Sequence, residues 1–497
     1  MQFFLHRPFH ALLLWLTWQL IFPALPALSQ TPPTPEVVTV WGTVAQAKNI
    51  LISIDITENP ISGKIVGYAS KIDSSGKFMI QLPLKTPTYG WLFHANNSVP
   101  VFLHPGDNVQ VTVNAQDMAS TVKFEGRGAD HCRLTAGYFR KFNTAAQRSL
   151  LTQKMGDLEP ADFIAYVDDI RKQKLQLLAD YKVKGSLSQV CENFVKTQTN
   201  VEWANALLDY PFAHSLKSDE LTPDNLPPDY YAFMDEVDLQ NQEALQLSIY
   251  TDYLLKFISN RFSKTIDRAD YNTDNFYADK FEFTKTLLSG KALYYVQGIC
   301  ITDACTYGKV ENIAAKFDEY LVACPFTNYT QAVTEVYDRA FRTSAGQQAP
   351  DFSLINLAGD TLTLQQLKGK VLYVDFWATW CGPCVREMGY SEQLKEKFTG
   401  KNVAFVYISV DDNPMDWEYY LHNTLLYTPD STLHLFANGL TSETGKNYNI
   451  KGVPRYLIID ADGIIADSNA KRPSDPGVVA DLEKVLNRSL LPNSGNN

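Results

Sequence analysis

The sequence lacks the features that would make it a nucleic-acid binder or a membrane-spanning protein. Basic residues are outnumbered, 44 Lys and Arg against 55 Asp and Glu, for a formal charge of -11. Phosphate backbones are bound by the opposite balance, which argues against nucleic acid as the main partner. Beyond residue 30 no apolar run approaches the ~20 residues needed to cross a bilayer. The middle of the chain shows no repeat of fixed period. Cysteine is sparse: seven in 497 residues and none in the first 131, which excludes a lipid-modified cysteine near the amino terminus. A 45% hydrophobic, 20% charged composition leaves little room for extended disorder. A chain of this length exceeds what one core organises and suggests about three domains.

The first residues read as an export signal, expected over 1–29. Arg7 gives a weak basic start, Ala11 to Leu28 is apolar, and Ala27-Leu28-Ser29 is a small-x-small site before Gln30. Gln19, Pro23 and Pro26 interrupt the run, which favours a cleaved signal over a retained anchor. Thr31-Pro32-Pro33-Thr34-Pro35 then forms a stiff linker. Export puts the cysteines in an oxidising compartment. Cys381 and Cys384 pair, and the other five are odd in number. A structural disulfide is expected among Cys300, Cys305 and Cys324, with buried thiols as the alternative.

Residues 36–126 carry strand patterns. Ile50, Ile52, Ile54 and Ile56 alternate with Leu51, Ser53 and Asp55, which predicts four isoleucines on one face. Asp73-Ser74-Ser75-Gly76 and Pro105-Gly106-Asp107 read as turns into further strands. The expectation is a small antiparallel sandwich or barrel. Residues 129–345 turn helical: after Pro160, apolar Phe163, Val167, Ile170, Leu177 and Tyr181 recur at helical spacing. Leu221 to Asp229 reads as a loop between helices, and Tyr230, Tyr231 and Phe233 as core. From 347 to 492, apolar runs at Val371–Trp377, Val403–Val410 and Tyr456–Ile459 alternate with helices, which predicts an α/β domain on a largely parallel sheet.

Chemistry concentrates at Trp380-Cys381-Gly382-Pro383-Cys384, placed where a strand gives way to a helix. Free N–H groups and the dipole at a helix start stabilise a thiolate, so Cys381 should attack and Cys384, one turn inside, should resolve the mixed disulfide. Pro383 fits a first turn, and Gly382 leaves room for a substrate beside the sulfur. Zinc would need a second ligand pair, which Cys300 and Cys305 supply poorly; a haem thioether site would need histidine where Val385 stands. No metal and no cofactor beyond the redox disulfide is expected. His94, His104, His422 and His434 are scattered, and Arg455 reads as a solvated strand-edge residue.

Ala349-Pro350-Asp351-Phe352, Leu367-Lys368-Gly369-Lys370-Val371, Trp377-Ala378-Thr379-Trp380-Cys381 and Gly452-Val453-Pro454 resemble the TlpA/ResA-like branch of the thioredoxin family, over roughly 347–492. That branch includes thiol reductants of cytochrome c assembly. The resemblance implies a thioredoxin fold and an extracytoplasmic thiol:disulfide oxidoreductase, working as a protein-disulfide reductase. It implies Pro454 after a cis bond facing the disulfide, Val453 offering its backbone to substrate, Trp380 shielding Cys381, and Asp375 as a buried base for Cys384. The implied partners are protein dithiols or disulfides and a membrane thiol-electron donor; the residues carry no sign of an oligomeric state. Two departures stand out: Gly389 where relatives kink the active-site helix with proline, and Tyr407 where thioredoxin itself has a lysine. Other readings are a disulfide oxidase or isomerase, and a cell-envelope binding protein regulated by its redox site.

Overall fold

Alternating apolar and polar residues write the first part of the chain as strands. The computed structural model describes residues 34–47, 50–216, 226, 229–266, 275–423 and 432–489. The expected export segment and most of the Leu221–Asp229 loop lie outside the described residues. Strands β1 (Glu36–Ala45), β2 (Leu51–Asn59), β3 (Lys64–Lys71), β4 (Lys77–Leu84), β5 (Thr88–His94), β6 (Asn97–Leu103), β7 (Asn108–Asn114) and β8 (Lys123–Arg127) form two four-stranded sheets. In β4, Phe78, Ile80, Leu82 and Leu84 are buried while Lys77, Met79, Gln81 and Pro83 are exposed. One core gathers Val38, Val40 and Ile80 from the sheet β4-β1-β7-β8 with Ile52, Ile54 and Leu92 from β3-β2-β5-β6.

Two details depart from expectation. The sandwich is not wholly antiparallel, because β1 runs parallel to β7. Antiparallel direction follows from a tight hairpin, and here a long stretch of chain separates the two strands. Ile50 precedes β2 and is exposed, so the inward row is Ile52 and Ile54 with Ile56 partly buried. The turn at Asp73 is as read: its Oδ1 accepts from the N–H of Ser75 and Lys77 at 2.8 and 2.9 Å, and Gly76 takes φ 80.

Helix α1 (Met118–Thr121) precedes β8. Then come α2 (Ala129–Phe142), α3 (Ala145–Asp157), α4 (Pro160–Lys184), α5 (Gln189–Ser215), α6 (Ser248–Ser263), α7 (Phe276–Thr284), α8 (Gly290–Tyr307), α9 (Val310–Ala323) and α10 (Thr327–Phe341). Their core is rich in aromatics, with Phe163, Tyr210, Tyr250, Tyr253 and Tyr320 buried. Tyr230 and Phe233 belong to it, and Tyr231 packs against it. Helix α2 serves two cores: Cys132 and Ala136 face the sandwich, Leu134 and Tyr138 the helices. Positions two apart on a helix point to different sides, so one helix cements both layers.

The disulfide expected among Cys300, Cys305 and Cys324 does not form. These three, with Cys132 and Cys191, are free and buried. Cys300 and Cys305 sit five residues apart on α8, which turns their side chains about 140° from each other. Burial pushes both thiols up to about 12, so neither is a ready thiolate.

The C-terminal part comprises β9 (Ser353–Asn356), β10 (Thr361–Thr363), β11 (Val371–Trp377), α11 (Gly382–Lys397), β12 (Val403–Ser409), α12 (Pro414–Asn423), β13 (Thr432–Phe436), α13 (Glu443–Asn447), β14 (Arg455–Ile459), β15 (Ile465–Asp467) and α14 (Val478–Ser489). Its strands make one sheet in the order β10-β9-β13-β12-β11-β14-β15. Only β13, β12 and β11 run parallel; the flanking strands attach antiparallel, including β14, so the sheet is parallel at its centre alone. Every residue of β11 is buried, as its unbroken apolar run requires. This thioredoxin-like unit has its own core, separate from the other two.

Candidate active site

At the end of β11 the chain turns through Ala378, Thr379 and Trp380 into α11. Cys381 is the N-cap of that helix, with the backbone N–H of Cys384 donating to its Sγ at 3.2 Å. A sulfur there meets the free N–H groups and positive dipole end that stabilise a thiolate. Cys381 and Cys384 form a disulfide, with Cα atoms 5.3 Å apart. Access differs little between them: Cys381 is 4% exposed and Cys384 0%. Trp380, by contrast, is 63% exposed, and Gly382 and Pro383 lie at the surface. Pro383 sits in the first helical turn. The helix runs unbroken through Gly389, beside which a Cβ would meet nothing within 4 Å.

Asp375 lies on β11, 1% exposed, and among the described residues neither carboxylate oxygen has a hydrogen-bond partner. Burial, with repulsion from Glu387 second, pushes its carboxyl well above the usual carboxylate range. Register sets Tyr407 of β12 and Tyr456 of β14 on either side of it. Where thioredoxin itself has a lysine there is thus a phenol, and its hydroxyl is spent on Ser391 at 2.5 Å. No cation offsets Asp375 from that position.

Glu387 is a residue the sequence reading passed over. It stands three residues after Cys384 and is 8% exposed. Its carboxylate accepts from Ser474 twice, from the N–H at 3.0 Å and the hydroxyl at 2.8 Å. Asp411 is a second omission: it takes the N–H of Thr379 at 3.1 Å and the hydroxyl at 2.8 Å, and so fixes the turn that carries Trp380. A carboxylate three residues past a Cys-x-x-Cys, hence on its inner face, was a signal available in the sequence for Glu387. Asp411 offered none.

The peptide bond between Val453 and Pro454 is cis, and both residues are partly buried. Arg455 pairs with Phe376, which brings the loop before it to the end of β11 where the cysteines begin. Arg455 itself is half-buried rather than freely solvated. Its Nη1 donates to Asn469 Oδ1 at 2.8 Å and approaches the carbonyl of Thr306 on α8 at 3.5 Å, and burial lowers its guanidinium to about 10. The histidines are mostly structural or exposed: His94 bonds the Leu51 carbonyl at 2.9 Å, His434 stacks on Tyr407, and His422 is at the surface. His104, however, is gathered with Asp107 and His131. His131 Nε2 accepts the N–H of Ser188 at 3.0 Å, so its Nδ1 carries the proton and offers no lone pair to a metal.

Comparison with known proteins matches the redoxin family model over residues 344–486. The thioredoxin-like protein YneN of Bacillus subtilis is 35% identical over 124 residues, covering 24% of this chain and 69% of that protein. The chain belongs to the redoxin family. Another relative of this redoxin is the thiol-disulfide oxidoreductase ResA of Bacillus thuringiensis, 30% identical over 24% of this chain and 65% of that one. Among solved structures, a thiol-disulfide oxidoreductase from Bacteroides fragilis is 28% identical, covering 28% of this chain and 98% of that chain, with a TM-score of 0.24. This redoxin is a thiol-disulfide oxidoreductase, and it carries the Cys381–Cys384 disulfide at the start of α11.

Proposed function

We propose that the protein is an extracytoplasmic reductase of protein disulfides. The observation that supports the reading is the N–H of Cys384 donating to Cys381 Sγ at 3.2 Å, a helix-start contact that favours Cys381 as nucleophile and leaves Cys384 as resolver. In the reduced enzyme the Cys381 thiolate attacks one sulfur of a substrate disulfide and expels the other as a thiolate, which takes up a proton. Ionised Asp375 then takes the proton of Cys384, whose thiolate attacks Cys381 Sγ and expels the second substrate sulfur as a thiolate; that sulfur takes the proton from Asp375 and leaves the Cys381–Cys384 disulfide behind. Two electrons and two protons pass to the substrate, so a two-electron reductant must restore the enzyme, and for an exported chain we take it to be a membrane dithiol donor. Val453 presents backbone to the substrate beside Pro454, Trp380 and Gly382 border the sulfur, and Pro383 shapes the first turn.

Export rests on the apolar first 29 residues with their small-x-small site. No helix among the described residues is long and apolar enough to cross a membrane. Reduction is tested by equilibrating the full chain against a thiol buffer and following insulin reduction. A potential near the ~-270 mV of thioredoxin is expected, and one near the ~-120 mV of a strong oxidase would overturn the reading. A second reading, a binding protein whose redox site is regulatory, is favoured by a cavity of about 730 Å³ between β2, β5, β6 and helices α2 to α6. Cysteine-less full chain retaining a ligand there would support it.

A further inference from the structure

The thioredoxin-like unit does not stand clear of the helices before it. The turn between α8 and α9 is seated on the β14–β15 edge by a connected set of contacts. Asn469 Nδ2 donates to the carbonyl of Tyr307 at 2.9 Å, and Arg455 ties Asn469 to the same turn. Lys309 Nζ meets Asp467 Oδ2 at 3.1 Å, with side chains only 22% and 15% exposed. Arg455 is the residue directly after Pro454, so the turn is one arginine side chain from the cis-proline loop. Within this well-anchored turn Tyr307 is left 67% exposed. Among the described residues, no backbone hydrogen bond is made by Val453, whose strand pairing begins only at Arg455.

We propose that the α8–α9 turn, with Tyr307 at its head, is a wall of the substrate groove that selects extended polypeptide over small disulfides. The inference rests on the reading of the protein as a protein-disulfide reductase and names the surface that recognises the substrate. A free backbone edge at Val453 takes an extended chain by strand addition, and that chain must continue past the reacting sulfur in both directions. On one side it meets Trp380, 63% exposed; on the side of Arg455 it meets the turn from the helices. Both rims offer an exposed aromatic ring, which contacts apolar or aromatic side chains of a bound segment at low entropic cost. A small disulfide has no flanking residues and reaches the sulfur without touching this wall.

Two full-chain variants test it, Tyr307→Ala and the charge reversal Lys309→Asp, with Tyr307→Phe and Lys309→Asp/Asp467→Lys as their restoring partners. The reduced chain is oxidised in single turnover by insulin or by bis(2-hydroxyethyl) disulfide. Tyr307→Ala is expected to lower the insulin to small-disulfide rate ratio about five- to tenfold, through weaker half-saturation and not the limiting rate. Lys309→Asp should move the ratio the same way, and both restoring variants should return it towards the parent. An unchanged ratio, or equal losses on the two disulfides, overturns the proposal while the reductase reading stands. Failure of the parent chain to react with insulin, with the small disulfide still reduced, sinks the reductase reading and this inference together.

Discussion

Asp375→Asn separates the two things a buried carboxyl can be doing. The side chain keeps its shape and loses its acid. In the folded chain the group is held protonated well above the usual range because burial leaves it no partner and Glu387 repels its anion. An unfolded aspartate titrates near ~3.9, so from about pH 4 upward the folded state binds the extra proton. Stability therefore falls as pH rises, by about 1.4 kcal/mol per unit, until Asp375 ionises. Below that window the parent and the variant should match; within it the variant gains. Each kcal/mol moves a melting midpoint by about 2–4 °C in a unit of this size, which calorimetry between pH 4 and pH 8 resolves. Turnover should move the other way. General base catalysis contributes about 100-fold or more, so the resolving step should slow by that order. If turnover stays at the parent level while the melting curve rises, Asp375 is only a structural cost. If the pH slope of stability is the same in both proteins, its carboxyl is not raised and the reasoning fails at its first step.

Other outcomes follow from the same geometry. Cys384→Ser should accumulate mixed disulfides through Cys381, seen on non-reducing gels and released by dithiothreitol, whereas equal trapping by Cys381→Ser would reverse the assigned roles. Pro454→Thr should slow substrate release without lowering the melting temperature; unchanged turnover would put Pro454 outside the exchange step. Glu387→Gln keeps an acceptor for Ser474 and removes a charge, so the turnover profile should shift to lower pH as the repulsion on Asp375 is relieved. An unmoved profile would show that the two carboxyls do not couple.

What could be read from the sequence was what is local. Cys381 to Cys384 is a four-residue signal, and its place at a helix start follows from the apolar strand before it and Pro383 after. The burial of Asp375 was legible from its apolar neighbours, but its role as a base came through resemblance. The Val453–Pro454 bond came through resemblance, not through any local rule. Residues the reading missed act across long separations: Thr379 to Asp411 spans 32 positions, Glu387 to Ser474 spans 87, and Arg455 to Thr306 spans 149. Arg455 differs from expectation for that reason, since a charged residue at a strand start is usually solvated, and here Asn469 and the carbonyl of Thr306 hold it half-buried. The cysteines of α8 were misread differently: an exported chain favours disulfides, but two positions on one helix five residues apart cannot meet.

Where negative charge rests in the reduced pair turns on two neighbours at the base of α11. The helix start favours a thiolate at Cys381 by about 0.3–1 kcal/mol, and a strongly stabilised thiolate would make the pair an oxidant. On the other side stands Glu387, one turn past Cys384 on the inner face of the helix, its carboxylate accepting two hydrogen bonds from Ser474. At about 6 Å, the spacing of residues three apart on a helix, and an effective dielectric of about 20, its charge opposes a thiolate at Cys384 by roughly 3 kcal/mol. With Tyr407 in register beside Asp375, no lysine from that position cancels this charge. The two effects act on different sulfurs and so do not cancel: the carboxylate disfavours a second thiolate at Cys384, and the negative charge of the reduced pair gathers at Cys381, on the helix end.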